Sequence, residues 1–498
     1  MRIDRREFLS SVGLAAAAGI GHGFAAAPAE EPPYNATGEL VGEMTPHSAI
    51  LRARLTKTPV RNNAGYKFPG ARDGMNVTDL RKMPVPPGMK ISELEGDCPG
   101  APGRVRIWYG TQPSLAGART TPWSSVDPKR DFTRQIALEG LQPDTIYYYA
   151  VEMASERGNK TRKGQTGRFL TAPMPGAWRK TRLALIGNQS YASRDLGSEG
   201  FRTYRSLAKF SPDFLVQTGD NVYYDTETPL VNSLELARYH WHRMFSLPTI
   251  REFYRNTGAY FQKDDHDSFE DDCWPTREPH RVNPLTYSEL TPIYAEQVPV
   301  SPKPFRRFRW GKGIELWLLE GRDYRSPNPA PDGPNKTLLG AEQKAWLKKT
   351  ILESDAKFRI LSMPEPIVGP DQPGRDYFQW PGGNGDNLSN AAFATEGHEL
   401  RRWVKDNKLT NLIEICGDRH WQYFSVDPES GLHEFGCGAV SDTHTVAHFP
   451  ENPKYHRFLR FKGGFVSISL EGTEESPLLY VRFHSVDGEV VYEHVHKG

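Results

Sequence analysis

Four short apolar runs in this sequence each end in residues that can bind metal ions or transfer protons. The runs and the polar residues after them are 182–186 with Asn188, 214–216 with Asp220 and Tyr223, 258–262 with Asp265 and His266, and 411–416 with Asp418 and His420. Carboxylates and a tyrosine oxygen are hard donors that suit iron or another hard cation. A two-metal hydrolase needs such a pattern, with several strand ends meeting at one edge and one carboxylate bridging both ions.

Asp220, Tyr223 and the neighbouring Asp264 also have a simpler structural interpretation. The Gly-Asp dipeptide that contains Asp220 is ordinary turn chemistry. Tyr223 could be a core residue whose hydroxyl group is satisfied inside the protein. Asp264, beside Asp265, is expected to lie behind the ligands or in solvent. The metal hypothesis therefore depends on the combination of clusters and not on any one of them.

Three further groups of charged residues could belong to the same site or only surround it. We expect the acidic group to be a solvated loop, with a calcium site as the alternative. The arginines could bind phosphate or pair with buried acids, and we expect the histidines at the surface or the pocket rim. These groups are Glu270, Asp271 and Asp272; Arg322 and Arg325; and His444, His448 and His456.

The composition is that of a loop-rich globular protein with more than one domain. The chain has 498 residues, a net charge of +1, 45 Gly and 40 Pro, and a mean hydropathy of −0.62. A nearly neutral chain gives no reason to expect a nucleic-acid-binding surface. The four cysteines lack zinc-ribbon spacing, and one or two disulfides are open if the protein is exported. Cys416, within an apolar run, is expected to be a buried thiol.

Residues 1–30 indicate a twin-arginine signal peptide. Arg5 and Arg6 precede Phe8 and Leu9, a mildly apolar stretch at 12–18, and small residues at 25–27. This signal exports folded proteins, often with the cofactor in place. The apolar stretch is too short to span a bilayer. We therefore expect no transmembrane segment, contact with the twin-arginine export machinery, and a periplasmic or secreted protein.

The rest of the chain divides into two parts. Residues 34–172 contain β-rich runs, a long loop at 59–103, and a corner at 141–147 like that of fibronectin type III-like sandwiches. Strands and helices alternate within 180–498, as in an α/β domain. Helices are expected at 201–210, 234–245, 341–352 and 396–406. The inserts at 283–305 and 369–390 are expected to be loops over the site.

In this order the motifs resemble those of the PhoD-like alkaline phosphatase family of calcineurin-like metallophosphoesterases. The matching stretches are Gly219-Asp220-x-x-Tyr223, Asp264-Asp265-His266-Asp267, residues 322–325, residues 339–347 and Gly417-Asp418-x-His420. The resemblance implies an α/β fold, a four-layer α/β/β/α metallophosphoesterase sandwich at 180–498. An N-terminal all-β fibronectin type III-like domain would occupy 34–172.

The same resemblance implies two metal ions, Fe³⁺ and a divalent ion such as Ca²⁺. The implied ligands are Asp220 as the bridge, Tyr223 and His420 on the iron, Asp265 and Asp418 on the second ion, and Asn188 from the first motif. His266 would hydrogen-bond the phosphate or protonate the leaving oxygen. His266 and Asp220 are thus the expected catalytic residues.

The chain departs from the family at three positions. Asn188 stands where the first motif usually has Cys or Asp, and an amide carbonyl is a weaker donor than a thiolate or carboxylate. Ser190 stands where wider metallophosphoesterases often have His, and Asp267 where relatives commonly have Glu. The site could therefore hold iron loosely, prefer a different ion or contain a single metal.

The sequence thus predicts an exported metal-dependent phosphoesterase that hydrolyses phosphate monoesters, diesters or both through a metal-activated water. The alternative is a non-catalytic exported binding or cell-surface protein whose metal site has weakened. Asn188 motivates this alternative. The presence of Asp220, His266 and His420 argues against it, because a decayed site needs none of them.

Overall fold

The computed structural model describes residues 31–68, 83–370, 388–389, 391–445 and 449–497. The predicted signal peptide, His448 and most of the predicted loop at 369–390 lie outside these residues. Within the described part of the chain, no helix is long and apolar enough to cross a membrane.

The front segment contributes nine strands to two sheets. The strands are β1 (Leu40–Gly42), β2 (Ser48–Arg54), β3 (Arg104–Gly110), β4 (Arg119–Thr120), β5 (Ser124–Ser125), β6 (Thr133–Glu139), β7 (Ile146–Ala154), β8 (Thr161–Lys163) and β9 (Gly167–Leu170). The strands β3, β4, β5, β7, β8 and β9 form a sheet of their own. At its corner the Tyr147 hydroxyl accepts a hydrogen bond from the Gln142 amide at 2.9 Å. The fibronectin type III-like assignment stays a prediction.

The second segment alternates strands and helices before it ends in antiparallel strands. Its elements are β10 (Arg182–Ile186), α1 (Arg202–Phe210), β11 (Phe214–Gln217), α2 (Leu234–Phe245), α3 (Pro248–Asn256), β12 (Ala259–Phe261), α4 (Tyr287–Gln297), β13 (Arg306–Trp310), β14 (Ile314–Leu318), α5 (Ala341–Glu353), β15 (Phe358–Met363), α6 (Ala394–Asp406), β16 (Leu412–Cys416), β17 (Gln422–Val426), β18 (His433–Cys437), β19 (His456–Arg460), β20 (Phe465–Gly472), β21 (Pro477–His484) and β22 (Val490–Lys497). All four predicted helices are present, with ends that differ by at most two residues.

Two large mixed sheets carry the fold. The first has nine strands in the order β22-β21-β20-β10-β11-β12-β1-β2-β6, and the second has seven in the order β13-β14-β15-β16-β18-β17-β19. Neighbours β10, β11 and β12 run parallel in the first sheet, as do β14, β15, β16 and β18 in the second. Ligand sites collect beyond the carboxyl ends of such parallel strands.

Alternating side chains pack the two sheets against each other and against the helices. Leu185 of β10 and Ile415 of β16 belong to one buried cluster that both sheets share. The alternate residues on these two strands point the opposite way, towards the helices. Ile186 packs into a cluster with α1 to α4, and Leu412 packs into another with α5 and α6. The period of two along each buried strand therefore fixes which side chains reach the helices.

The boundary expected between the two segments does not coincide with a break in the sheets. Gly42 of β1 pairs in parallel with Ala259 of β12, so β1, β2 and β6 extend the nine-stranded sheet. The front segment thus supplies one edge of the second segment's sheet.

The expectation that 283–305 is a loop is wrong, because it contains helix α4. Thr286 and Glu289 form a capping box that starts this helix, and its Leu290 and Ile293 are buried. Pro292 lies inside the helix and interrupts the sequence pattern, since proline normally breaks helices. The expectation for Cys416 is confirmed, and all four cysteines are buried free thiols.

Candidate functional site

Three strands, two in the nine-stranded sheet and one in the seven-stranded sheet, each end in a polar residue with the same backbone conformation. Asn188, Asp220 and Asp418 follow β10, β11 and β16 and have φ angles of 54°, 53° and 57°. This left-handed region is uncommon for residues other than glycine, and Asn and Asp adopt it more readily than most. Such conformations cluster at functional sites, where the surrounding structure holds them.

Glycines before these residues let the strand ends approach one another. Gly219 has a φ of +108°, and a Cβ atom there would lie 2.6 Å from the Cβ of Asp264. At Gly417 a Cβ atom would clash with the side-chain oxygen of Thr218. Real Cβ atoms do not approach a neighbouring backbone or side chain this closely without displacing it. The Gly-Asp pairs in the sequence therefore reflect crowding at the site as well as turn geometry.

Asp220 is buried among neutral hydrogen-bond donors. The Asn188 Nδ2 atom and the Tyr223 hydroxyl each donate to its Oδ2 atom, both at 3.0 Å. Within the described residues, Oδ1 of Asp220 and Oδ1 of Asn188 are buried and have no hydrogen-bond partner. A buried carboxylate oxygen without a partner is costly, so this position is suited to a cation.

Two histidines extend the network from Tyr223. The Nε2 atom of His444 lies 2.9 Å from the Tyr223 oxygen, and it must donate because the hydroxyl hydrogen already goes to Asp220. The Nδ1 atom of His420 donates to the carbonyl oxygen of His444 at 3.0 Å. The second ring nitrogen of His420 is therefore left with a lone pair, as a metal ligand requires.

His266 is held by acidic residues on the other side of Tyr223. Its Nδ1 atom lies 2.6 Å from Oδ1 of Asp225, and the other oxygen of Asp225 accepts from Arg281 at 2.8 Å. The His266 ring lies over the Tyr223 ring, with centroids 4.4 Å apart. Burial lowers the pKa of His266, but the carboxylates of Asp225, Asp265 and Asp220 raise it well above its ordinary value.

Asp264 lies behind the site and is paired with Arg322. The Arg322 Nε atom contacts Oδ1 of Asp264 at 2.6 Å, and its Nη2 atom lies 3.0 Å from Glu365. Arg325 pairs with the same glutamate. Of the two expectations for these arginines, pairing with buried acids is the one observed.

The expectation of a solvated acidic loop is wrong for Glu270. This side chain is fully buried, and its Oε2 atom accepts from the backbone amide of Arg281 at 2.7 Å. The other two acids of the group, Asp271 and Asp272, are half-buried. Carboxylate oxygens of Asp265, Asp271 and Asp272 lie within 4.8 Å of one another, so the loop adjoins the site.

The pKa shifts divide the carboxylates of the site into two kinds. Burial, Asp265 and Asp264 raise the pKa of Asp220 well above its ordinary value, against the effect of His266. Burial also raises that of Asp265, but Arg322 and His266 outweigh it and hold the Asp265 pKa below the usual range. Positive side chains of the protein therefore compensate the charge of Asp265, but they do not fully compensate that of Asp220.

The structure brings the predicted site residues together at one edge. Ligand atoms of Asp220, Asp265 and His266 lie within 4.8 Å of one another. The hydrogen bonds described above connect Asp220 through Tyr223 to His420, and Asn188 Nδ2 also donates to the Asp418 carbonyl at 3.0 Å. This set of oxygen and imidazole donors fits a hard cation or a borderline divalent ion. The role of each residue as a ligand stays a prediction.

The sequence did not identify Asp225 and Arg281, which hold His266. A third residue whose contact with the site was missed is His444. It was expected at the surface or rim, with no spacing that linked it to Tyr223, which lies 221 positions earlier. It follows β18 in a short 3₁₀ turn at Asp442–His444. The available signal was its position after β18, a strand of the seven-stranded sheet that also positions Asp418.

Comparison with known proteins identifies two family models along the chain. The model of the PhoD-like phosphatase matches residues 183–457, and that of the PhoD-like phosphatase N-terminal domain matches residues 23–173. Alkaline phosphatase D of Bacillus subtilis (strain 168) is 23% identical over 390 residues, which are 66% of this chain and 63% of the relative. The alignment thus spans less than two thirds of that relative's length.

Two solved structures share the fold. The structure of PhoD matches with a TM-score of 0.69 and 17% identity over 95% of this chain and 90% of that one. The purple acid phosphatase PPD1 from yellow lupin (Lupinus luteus) seeds matches with a TM-score of 0.59 and 13% identity over 94% and 74% of the two chains. At these identities the likeness shows the fold alone.

Proposed function

Because this chain belongs to the PhoD-like phosphatase family, we propose that it is a metal-dependent phosphoesterase. The observation that carries the proposal is the buried Asp220 carboxylate, one oxygen of which has no hydrogen-bond partner within the described residues. Beside it stands His266, paired with Asp225 at 2.6 Å. An anion-binding imidazolium next to a cation-binding carboxylate is the combination that phosphate-ester hydrolysis needs.

The chain's own residues would bind and orient the substrate. Asp225 holds the Nδ1 proton of His266, and Arg281 fixes Asp225 in turn. The second ring nitrogen of His266 would hydrogen-bond a phosphoryl oxygen and donate a proton to the leaving oxygen. Tyr223 packs against the His266 ring and limits its rotation. Phosphate monoesters and diesters both present the oxygens that this arrangement requires.

Asp220, Tyr223, His420 and the neutral Asn188 would hold Fe³⁺, and Asp220, Asp265 and Asp418 would hold a divalent ion such as Ca²⁺. When bound, the ions would neutralise phosphate charge and activate the attacking water. The donor set supports this proposal, because the Asp220 and Asn188 oxygens are buried without partners in the described part of the protein. Asn188 makes the first ion the more weakly held of the two.

We also propose a layered fold for each of the two segments and a location outside the cytoplasm. Residues 180–498 would form a four-layer α/β/β/α sandwich, and the division of buried side chains between one inter-sheet cluster and two helix-facing clusters supports this. Residues 34–172 would form the fibronectin type III-like domain. The sequence at 1–30 supports twin-arginine export to the periplasm or the medium.

The rival proposal is a non-catalytic exported protein with a weakened metal site. Asn188 favours it, since the chain offers an amide where a charged donor is usual. The Asp225–His266 pair speaks against it, because binding a metal alone would not require a positioned proton donor. An assay of hydrolysis alongside metal content separates the two.

The test uses the full mature chain with an aryl phosphate monoester and an aryl phosphate diester, alongside elemental analysis. We expect hydrolysis of at least one ester, its loss after chelation, and its return when metal is added. His266→Gln should lower kcat/KM by about 10²–10⁴-fold, because a general acid contributes about that much. The bound metal should be unchanged.

His398→Gln is the matched control, since His398 is exposed on α6 and should leave kcat/KM unaltered. A metal-loaded wild type that hydrolyses neither ester would refute the enzyme proposal and support the binding protein. Full activity in His266→Gln would leave the enzyme standing and remove the role given to His266.

A further inference from the structure

Three histidines meet at the opposite end of the sheets from the candidate active site. His433 begins β18, and His494 and His496 lie two residues apart near the end of β22. A ring nitrogen of each lies within 4.8 Å of the others. The cluster joins the edge strand of the nine-stranded sheet to the seven-stranded sheet. From this geometry we propose a second metal site, made only of imidazoles, for a divalent ion of the zinc class.

A backbone carbonyl fixes the form of one of the three rings. The His496 Nε2 atom lies 2.9 Å from the carbonyl oxygen of Thr410. A carbonyl only accepts, so Nε2 carries the proton and Nδ1 carries a lone pair. Metal-binding histidines almost always donate their other N–H group in this way. His496 is 7% exposed, so this orientation is held by packing.

The lone pair of His496 points at a second imidazole at ligand spacing. The Nδ1 atoms of His496 and His433 are 3.2 Å apart. Two nitrogens bound to one tetrahedral zinc at ~2.0–2.1 Å lie about 3.3–3.4 Å apart. The pair therefore needs almost no movement to bind one ion.

The third histidine of the cluster also has a nitrogen without a partner in the described part of the chain. Within the described residues, Nε2 of His494 is buried and has no hydrogen-bond partner. Without a metal, a proton on Nδ1 of His433 could form a hydrogen bond to Nδ1 of His496. The Nε2 atom of His494 would still have no partner among the described residues. An ion bound by all three rings would give one nitrogen of each ring a partner at the same time, which favours the metal site over simple packing.

The surroundings keep the three rings in the form that binds metal. Phe424 packs against His494 and His433, with ring centroids 4.6 and 5.2 Å away. Burial lowers the pKa values of His433 to about 3 and His494 to about 4, assisted by the neighbouring histidines. Burial thus favours the neutral form of these rings, which is the form that binds metal. Arg457 also acts on His433, but its side chain is exposed, and water screens its charge.

Ligand type determines which metals suit this site. Imidazole nitrogen suits Zn²⁺, Co²⁺, Ni²⁺ and Cu²⁺, whereas Ca²⁺ and Mg²⁺ prefer oxygen ligands. Three histidines leave a fourth position for water or an anion. The bound ion would fasten β22 to β18 and so hold the last strand of the chain against the second sheet.

The test measures Co²⁺ uptake by the metal-stripped full-length mature protein, with elemental analysis and visible absorption. The wild type should take up one equivalent more than His494→Phe, which keeps a ring against Phe424 but cannot bind metal. The d–d absorption of tetrahedral Co²⁺ should be lost in this variant and in His433→Gln. The affinity for Co²⁺ at this site should fall at least about tenfold, because replacing even a residue that hydrogen-bonds a metal ligand costs about 10–100-fold in affinity.

The exposed His398→Gln variant should keep the full equivalent and the full absorption. Phosphoesterase activity and the remaining metal content of His494→Phe report whether the variant is folded, because neither depends on this cluster. Equal Co²⁺ uptake and equal absorption in wild type and His494→Phe would overturn the proposal. So would a wild type that shows no tetrahedral cobalt spectrum when fully loaded.

Discussion

Two buried aspartates in this protein show what a complete and an incomplete charge environment look like. Asp131 and Asp220 are 6% and 1% exposed, and both adopt left-handed backbone conformations, with φ angles of 55° and 53°. Burial raises the pKa of each. At Asp131, however, Arg54 and His242 outweigh burial and hold the pKa far below its usual range, whereas that of Asp220 stays well above it.

The partners of Asp131 account for the difference. Arg54 donates to both of its oxygens at 2.8 and 2.9 Å, and Gln297 donates at 2.7 Å. His242 completes the set at 2.7 Å. These residues belong to β2, α4 and α2, so a saturated carboxylate joins the front segment to the second one. Asp131 is therefore a structural residue.

Asp220 is equally buried, but its hydrogen-bond partners are a neutral amide and a neutral phenol. The chain supplies donors for one of its oxygens, and no hydrogen-bond partner for the other among the described residues. A carboxylate in this position needs a positive charge from outside the chain. The comparison teaches that missing charge compensation, more than burial, distinguishes the candidate active site.

The largest effect is expected for Asp220→Asn. The amide keeps the shape and tolerates the left-handed conformation, so only the charge is lost. We expect kcat/KM for an aryl phosphate ester to fall about 10³-fold or more, since the metal clamp loses its shared carboxylate. Metal content should fall with it.

The measurement is steady-state kinetics alongside elemental analysis, with Asp406→Asn at the exposed end of α6 as the control. Unfolding in urea should show Asp220→Asn to be as stable as the metal-free wild type or more stable. If the free energy of unfolding of Asp220→Asn is several kcal/mol below that of the metal-free wild type, Asp220 is a structurally paired residue. It would then not differ from Asp131.

Asp131→Asn should give the converse result. Removing one partner of a buried ion pair costs about 3–5 kcal/mol, so the free energy of unfolding at pH 7 should fall by about 3 kcal/mol. Metal content and kcat/KM of the folded protein should be unchanged. Urea unfolding measures the first quantity, and the assays above measure the others.

The pH dependence gives a second check on Asp131. Its folded-state pKa is depressed, so its stabilisation is complete above the unfolded value of about 4 and is lost as the pH falls towards the folded value. The difference between wild type and Asp131→Asn should therefore shrink on acidification below about pH 4. A constant difference from pH 7 to pH 3 would show that packing, not charge, stabilises the junction.

The sequence predicted Asp220 and Asp418 because both follow a glycine at the end of an apolar run, a purely local signal. It did not predict the Asp131 junction, whose partners Arg54, His242 and Gln297 lie 77, 111 and 166 positions away. The contact of His444 with Tyr223 was missed for the same reason. Contacts between distant elements depend on sheet order, and the pairing of β1 with β12 leaves no trace in local periodicity. Helix α4 was missed because Pro292 interrupts its pattern.

The smallest effect is expected for Asn188→Asp, which tests whether the charge deficit at Asp220 sets metal affinity. The new carboxylate would replace the Nδ2 donor that now lies 3.0 Å from Oδ2 of Asp220. Without metal, two adjacent carboxylates repel, so the stripped protein should be destabilised by about 1 kcal/mol. With metal, a charged donor replaces a neutral one, and the affinity should rise about tenfold, which is about 1.4 kcal/mol.

Chelator competition measures the affinity, and thermal unfolding with and without metal measures the stability. The two changes should have opposite signs, because the same carboxylate repels Asp220 in one state and shares a cation with it in the other. Asn221→Asp is the matched control, since the Asn221 amide donates to Asp267 and not to Asp220, so no gain in affinity should appear. If Asn188→Asp binds metal no better than wild type, the ion does not lie beside Asn188. The negative charge of Asp220 would then be compensated by an ion on the side of His266.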